Sequence, residues 1–178
     1  MRENFVQVGT RDAQAMQTPQ EIGQVLAALA ETPLRITSLT KGFELDQLHT
    51  KPSPEVWSAN EILAHLRSCA DVWGKSILAM LTQESPLLRY VSPRTWIKKT
   101  DYPKQEFHTS FRAFSKQRTD LLEVLKPLSP DDWARGTTFT GTTKGKEHTV
   151  FTYAQRLAEH EVLHLGQIER VLNRNRRQ

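Results

Sequence analysis

Four long amphipathic segments, separated by connections that contain prolines, constrain the fold of this chain most strongly. In each segment apolar residues recur every three or four positions, which is the period of a helix that buries one face. The predicted helices begin near residue 18, span 59–83, run from Phe107 to just before Pro127, and span 150–173. Helices of this kind bury their apolar faces against one another, so the sequence predicts an all-α fold, a four-helix bundle with long crossover connections.

Local signals mark where these helices begin. Thr18 and Glu21 have the spacing of a capping box, in which each side chain accepts a hydrogen bond from the backbone N–H of the other residue. Ser58 and Glu61 repeat that spacing at the start of the second long segment. Pro33 interrupts the first segment, and because proline lacks a backbone N–H, we expect the first helix to kink or break there.

The connections between the segments show no helical period. Residues 44–56 and 84–103 are interrupted by prolines, and residues 136–149 are rich in threonine and glycine. In this last stretch a short hairpin is expected around Gly141. The chain is predicted to form a single domain over 18–178, preceded by an N-terminal extension at 1–17.

Composition and charge are those of an ordinary globular protein. Hydrophobic residues make up 38% of the chain and charged residues 25%. No apolar run is long enough to span a membrane, and the N-terminus lacks the apolar stretch of a secretory signal. Cys69 is the only cysteine, so no disulfide within the chain is expected. We therefore expect a cytoplasmic protein with no membrane partner. Much of the net charge of +4 comes from arginines near the end of the last helix, where they face the negative end of the helix dipole. We therefore expect no nucleic-acid partner.

The last helix carries the letters of a zinc-protease motif. His160 and His164 lie one turn apart with Glu161 between them, as H-E-x-x-H. Side chains four residues apart share a helix face, so both imidazoles can converge on one ion. A protease of this type needs a third ligand further along the chain. The two metzincin positions that follow hold glutamine and arginine, and Glu169 is the only later carboxylate. The sequence therefore argues against a protease.

A third ligand has to come from earlier in the chain. Of the remaining histidines, His65 is the best candidate because it lies on the second predicted helix beside apolar neighbours. His160 and His164 likewise belong to the apolar stripe of the last helix. A histidine that faces a core is costly to bury unless it has a hydrogen-bond partner or a metal. The sequence thus predicts a metal site formed by His65, His160 and His164, with hydrogen-bonded core histidines as the alternative.

Other residues near these histidines have simpler interpretations. Cys69, one turn after the histidine of the second helix, could approach a metal but is expected to be a small buried apolar residue. Glu161 is rotated about 100° from the adjacent histidine, so we expect it in a salt bridge, at the surface or behind the ligands, rather than as a general base. His49, His108 and His148 have polar surroundings and are expected at the surface, although His148 could line the mouth of a site.

Three stretches of the sequence resemble one known family. They are "TPLRITSLTKGFELDQL", "PSPEVWSANEILAHLRSCADVW" and "LAEHEVLHLGQI". In their order and spacing, over roughly residues 18–173, they are similar to the first helix, the first metal-histidine segment and the last helix of the DinB-like superfamily. The resemblance implies a metal-binding four-helix bundle, often a homodimer, in which His65, His160 and His164 hold a divalent metal ion.

The resemblance also suggests what such a metal could do. Relatives include S-transferases that use the low-molecular-weight thiols bacillithiol or mycothiol, and a mycothiol-dependent maleylpyruvate isomerase. Three imidazole ligands leave positions open for a water or a thiol. We therefore expect a metal-dependent enzyme that acts on a small molecule, with thiol-dependent S-transfer as the first hypothesis. A metal-dependent hydrolase and a non-enzymatic, stress-induced metal-binding bundle are the alternatives. Nickel, zinc, iron and manganese all suit imidazole ligands.

Overall fold

The computed structural model describes residues 17–141 and 146–176. Its elements in chain order are α1 (Pro19–Thr40), α2 (Leu45–His49), α3 (Ala59–Thr82), β1 (Leu87–Arg89), α4 (Pro93–Trp96), two 3₁₀ turns (Ile97–Lys99 and Tyr102–Lys104), α5 (Phe107–Leu125), α6 (Pro130–Ala134), β2 (Gly136–Thr140), β3 (Lys146–Thr149) and α7 (Val150–Asn175). The long helices α1, α3, α5 and α7 are the four predicted helices, and the predicted four-helix bundle is confirmed.

The helix starts are capped as the sequence predicts. The Thr18 hydroxyl accepts from the backbone N–H of Glu21 at 3.2 Å, and the Glu21 carboxylate accepts from the backbone N–H of Thr18 at 2.7 Å. The break considered at Pro33 does not occur, because α1 continues through this residue. Leu29 and Ile36 on either side of the proline are fully buried, and their packing offsets the cost of about 3 kcal/mol for a proline in a helix interior.

The long helices are arranged around the bundle in an order that differs from their order in the chain. α1 packs against α5 and α7, and α3 packs against the same two helices, so the consecutive long helices α1 and α3 lie diagonally opposite each other. α1 and α7 run in the same direction from one end of the bundle to the other, and α3 and α5 run in the opposite direction. The long connections predicted from the sequence are what allow this arrangement.

Two apolar cores fill the bundle, one toward each end. On α3, residues 59–66 enter one core and residues 69–80 enter the other, whereas on α7 residues 150–158 and 165–172 contribute to the two cores in the reverse order. Between the cores each long helix contributes buried polar side chains. This polar layer consists of Thr32, His65, Ser68, Arg118, Glu161 and His164. The fold therefore places the predicted ligands in the middle of the bundle.

A small sheet covers one end of the bundle. β1 pairs in parallel with β2, and β2 pairs antiparallel with β3. The second pair is the predicted hairpin, and Gly141 at the end of β2 has a φ of 79°, which glycine adopts without strain. Phe139 of β2 stacks on the ring of Tyr153 at 5.0 Å between ring centroids, which joins the sheet to α7. The sequence did not predict β1.

The predicted domain boundary falls at the start of α1. Thr18 is the N-cap of this helix, and apart from Gln17 the predicted extension at 1–17 lies outside the described residues. Within the part of the chain that the structure describes, none of the helices is both long and apolar enough to cross a membrane.

Candidate metal centre

Three imidazole rings converge in the polar layer. The Nε2 atom of His160 lies 3.0 Å from the Nε2 atom of His65 and 3.0 Å from the Nε2 atom of His164. One ligand atom from each histidine lies within 4.8 Å of the other two. The structure thus brings together the three histidines that the sequence selected, and they are the residues that could hold a metal ion.

The helices fix this arrangement because of their period and direction. His160 and His164 are one turn apart on α7, so both face α3, which runs antiparallel and presents His65 at the same height. His65 and His164 are only 4% and 7% exposed, and His160 is partly exposed. The cluster therefore lies near the surface of the bundle at His160 and is buried behind it.

The protonation of His164 can be read from its partner. Its Nδ1 atom lies 2.6 Å from Oε1 of Gln167. A carbonyl oxygen only accepts, so Nδ1 donates the hydrogen bond and Nε2 keeps a lone pair that points at His160. The Nδ1 atom of His65 is buried with no hydrogen-bond partner among the described residues, so packing and the contacts of its Nε2 atom hold that ring.

This set of donors fits a divalent metal ion. His160 Nε2 is close to two other Nε2 atoms, and its single N–H can point at only one of them. One of the two Nε2–Nε2 contacts of His160 is therefore not a hydrogen bond donated by His160. A metal ion, which accepts a lone pair from each nitrogen, would satisfy both contacts. Nitrogen ligands that each bond an ion at about 2.0–2.1 Å lie about 3 Å apart. The two distances of 3.0 Å from Nε2 of His160 agree with that value.

Two tryptophans enclose the histidines. The ring of Trp57, just before α3, lies 5.3 Å from the ring of His65 and is stacked with His164 at 6.4 Å. The ring of Trp73 meets His160 edge-on at 5.1 Å, and the guanidinium of Arg156 lies over the ring of Trp73. These rings restrict the histidines and remove water from around them.

Burial keeps the three imidazoles neutral. The pKa of His65 is lowered to about 4, first by burial and then by the charges of His164, His160 and Arg94. The pKa of His160 is likewise lowered to about 4, first by burial and then by His164, Arg156 and Arg94. Burial lowers the pKa of His164, and the hydrogen bond to Gln167 opposes the change. Neutral imidazole is the form that binds a metal ion.

Glu161 takes no part in the cluster. Its carboxylate forms a salt bridge with Arg118 of α5, and both side chains are almost fully buried. Of the two predicted positions for this salt bridge, the surface and the region behind the ligands, the structure shows an interior one. Burial raises the pKa of the Glu161 carboxyl, while the charge of Arg118 opposes the rise. A carboxylate that is already ion-paired inside the bundle is not available as the base of a protease.

Cys69 lies behind the histidines. Its Sγ atom is 3.6 Å from Nε2 of His65, and the side chain is fully buried. Burial raises the pKa of the Cys69 thiol to about 12, so it is neutral at physiological pH. In this form it packs as the small buried apolar residue that the sequence predicts.

The remaining histidines lie elsewhere. His49 and His108 are exposed, as expected. His148, expected at the surface, is half-buried in β3, where its ring packs against Phe139 and Tyr153. The pattern of polar neighbours in the sequence could not show this, because alternate residues of a strand face opposite sides of the sheet.

Comparisons with known proteins agree with this arrangement. The sequence pattern that describes the DinB superfamily matches residues 28–168. The chain belongs to the DinB superfamily. A comparison with curated protein sequences gave no match. The matched range includes most of the described bundle and all three histidines.

Among solved structures, this DinB-superfamily chain is similar to YfiT from Bacillus subtilis. The two are 17% identical, the match covers 94% of each chain, and the TM-score is 0.78. YfiT is described as a probable metal-dependent hydrolase with an unusual four-helix bundle topology. At this level of identity the similarity establishes the fold of the chain.

The sequence did not predict that Gln167, Trp57 and Arg94 lie beside the histidines. Gln167 lies three positions after His164, so helical spacing alone could have indicated it as a partner of that ring. Trp57 and Arg94 come from a connection and from the short helix α4. No periodic pattern extends into these segments, so the sequence offers no signal that they approach the histidines.

Proposed function

We propose that the chain is a divalent-metal-dependent enzyme that acts on a small molecule, and that His65, His160 and His164 hold the metal ion. One observation carries the proposal: Nε2 of His160 lies 3.0 Å from the Nε2 atoms of both other histidines. Imidazole suits nickel, zinc, iron and manganese, and the usual order of affinities favours nickel and zinc among them.

The surrounding residues have distinct roles in this proposal. Gln167 accepts from Nδ1 of His164 and so aims its Nε2 at the ion. Trp57 and Trp73 restrict the rings, and burial keeps the ligands neutral. A divalent ion bound by three histidines would lower the pKa of a water or thiol that binds beside it. The partly exposed edge of His160 and a cavity beside His164 leave one side of the cluster open to such a molecule.

We place thiol-dependent S-transfer first among the reactions. Among the described residues, the charges that lower the pKa values of the three imidazoles come from the other histidines, Arg94 and Arg156, and none comes from a carboxylate. Attack by water is commonly assisted by a carboxylate or histidine base. A thiol is more acidic than water, so once it has lost its proton to solvent the thiolate attacks without such a base. In the proposed reaction the sulfur of a low-molecular-weight thiol forms a bond to an electrophilic carbon, and the leaving group departs with its bonding electrons.

A metal-dependent hydrolase is the second candidate. The description of YfiT as a probable metal-dependent hydrolase favours it. Two assays with the metal-loaded chain separate the reactions: an electrophile panel with added bacillithiol or mycothiol, and an ester and amide panel without thiol. Turnover only with thiol supports the transferase, and thiol-independent cleavage supports the hydrolase. No turnover in either assay contradicts an enzymatic role.

A non-enzymatic metal site is the third candidate. The position of Cys69, 3.6 Å from His65 Nε2, favours it because a fourth ligand on the buried side would close the coordination sphere. The variant Cys69→Ala tests this role. Metal affinity close to that of the wild type means that Cys69 is not a ligand and that the ion keeps open coordination positions. A loss of affinity of about tenfold or more supports a closed structural or sensor site.

Elemental analysis tests the metal site itself. The protein is purified without a histidine tag, and its metal content is compared with that of His65→Ala and of His108→Ala, which removes an exposed histidine on α5. We expect close to one equivalent of divalent metal in the wild type and in His108→Ala, and little in His65→Ala. Equal metal content in all three proteins contradicts the proposal.

The cellular setting belongs to the same proposal. We propose a single bundle domain over 18–178, a cytoplasmic location and a homodimer. Exposed apolar side chains on α7 support a dimer, since Val162 and Leu163 are 54% and 68% exposed. Sedimentation equilibrium tests the dimer: the expected mass is twice that of one chain, and the mass of one chain at all concentrations contradicts it.

A further inference from the structure

A cavity of about 370 Å³ opens beside His164. Its size is that of a site for a small molecule. His164 and Trp57 both line this cavity, and the ring of Trp57 also packs against His65 and His164. Val56 and Ile62 add apolar surface to the same wall. A molecule in the cavity would therefore have one end next to the candidate metal centre.

The cavity is strongly positive. Arg94, Arg170 and Arg174 all line it, and Glu55 is the one acidic residue among its described lining residues. Within the described residues none of these three arginines forms a salt bridge. The dipole of α7 explains why arginines are favourable near its end. It does not explain Arg94, which comes from α4 and reaches the same cavity.

Contacts within the fold place two of these arginines beside the cavity. α4 is tied to α3 because Nε1 of Trp96 donates to Oδ2 of Asp71 at 3.0 Å, which fixes the helix that carries Arg94. On α7, Arg170 lies back along the helix, so that a Cβ atom at Gly166 would be 3.4 Å from its Nη1 atom. The guanidinium of Arg94 also lies over the ring of Trp57, 5.8 Å from its centroid, and that ring packs against His65 and His164.

We propose that this cavity binds the anionic group of the substrate, a carboxylate or a phosphate, between Arg94, Arg170 and Arg174. The planar guanidinium groups match both anions, each of which can accept two parallel hydrogen bonds. The apolar body of the molecule then lies along Trp57, and its reactive end reaches the open side of the histidines. This inference rests on the proposed function, because it names the class of substrate for that same site.

Direct binding measurements test the inference without knowledge of the natural substrate. The probes are benzoate and phenyl phosphate, with the neutral benzamide as a matched control, titrated into the full chain and followed by calorimetry. We expect both anions to bind more tightly than benzamide. In Arg94→Gln and in the double variant Arg170→Gln/Arg174→Gln, anion affinity should fall about tenfold or more, and benzamide affinity should stay unchanged.

Two controls separate this inference from the metal site. Arg112→Gln removes an exposed arginine of α5 outside the cavity and should bind the anions as the wild type does. Titrations with chelator-treated protein show whether the anion needs the metal. The inference is overturned if anion binding disappears with the metal but is unaffected by the arginine variants. Equal affinity for benzoate and benzamide also overturns it, as does the absence of binding of either anion at tens of millimolar. Metal content identical to the wild type in the arginine variants shows that such a failure does not extend to the proposed function.

Discussion

At the scale of single residues, the candidate site depends on how each imidazole is oriented. His164 has a fixed tautomer because Gln167 accepts from its Nδ1 atom. A hydrogen bond of this kind also makes the opposite ring nitrogen a stronger ligand. His65 has no such partner among the described residues and depends on packing. The contribution of Gln167 to metal affinity can therefore be measured separately from that of the ligands.

We expect Gln167→Ala to weaken metal binding about 10- to 100-fold without unfolding the protein. The measurement is a competition titration against a chromophoric chelator, with circular dichroism to check the fold. Gln155→Ala is the matched control, since it removes an exposed glutamine from the same helix. Metal affinity in Gln167→Ala equal to that of Gln155→Ala is the result that contradicts this role.

The lowered pKa values of the histidines predict how the metal-free protein responds to acid. In the unfolded chain a histidine titrates near 6.5, whereas the pKa of His65 and of His160 in the fold is about 4. Between these values the unfolded chain binds more protons than the folded one. The free energy of unfolding should therefore hold steady above pH 6.5 and fall as the pH drops from 6.5 toward 4, by up to about 1.4 kcal/mol per pH unit for each histidine.

Urea unfolding of chelator-treated protein at a series of pH values measures this dependence. His65→Gln should reduce the slope between pH 6.5 and 4, because one buried titrating group is removed. His108→Gln should leave the slope unchanged, since that histidine is exposed. A slope in His65→Gln as steep as in the wild type would show that acid destabilises the protein through other groups.

At the scale of helices, α5 and α7 are joined by a buried ion pair. Arg118 and Glu161 are 1% and 0% exposed. Three of their remaining polar atoms, Nε and Nη1 of the arginine and Oε2 of the glutamate, have no hydrogen-bond partner among the described residues. Thr32 also forms a side-chain hydrogen bond with Glu161, but each charge has its opposite charge in the other residue, and removal of one leaves the other without an ion pair in the interior of the bundle.

We expect Glu161→Ala to lower the free energy of unfolding by about 3–5 kcal/mol, the usual cost of an unpaired buried charge. The double variant Arg118→Met/Glu161→Leu removes both charges and should be more stable than Glu161→Ala. Chemical unfolding of each variant measures the difference. Asp120→Ala is the control, because the pair of Lys116 and Asp120 on α5 is exposed and should contribute about 0–1 kcal/mol. A similar small loss in Glu161→Ala contradicts the structural role of the buried pair.

The sequence predicts the long elements better than the short ones for a physical reason. α3, α5 and α7 each repeat an apolar face over many turns, so their period locates them closely, and the capping box of Ser58 and Glu61 also marks the start of α3. α2, α4 and β1 have five residues or fewer, too few to show a period. Their positions depend on contacts with distant segments, such as the pairing of β1 with β2.

The same limit applies to the site. His65, His160 and His164 could be selected because helical spacing relates each to an apolar face, and burial makes an unpartnered histidine costly. Arg94 and Trp57 reach the cluster from segments without a period. The salt bridge of Glu161 could be predicted from its direction on the helix, but its partner could not, because Arg118 lies on another helix.

At the scale of the whole molecule, the polar layer divides the interior of the bundle. Apolar cores lie on both sides of it, and α3 and α7 cross it in opposite directions. A metal ion held there by His65, His160 and His164 would join these two helices at their midpoints. Binding would then stabilise the entire bundle and not only the residues around the ion, because the ligands are assembled only in the folded state.

We therefore expect removal of the metal to lower the thermal midpoint of the whole protein in a single cooperative step. An ion present at 1,000 times its dissociation constant adds about 4.1 kcal/mol, which corresponds to a change in Tm of roughly 8–16 °C for a chain of this size. Differential scanning calorimetry with and without a chelator measures the shift, and added metal should reverse it. His65→Ala should show one Tm under both conditions, and His108→Ala should respond as the wild type does, because its side chain is exposed on α5. A Tm that is the same with and without metal in the wild type would mean that no ion joins α3 to α7.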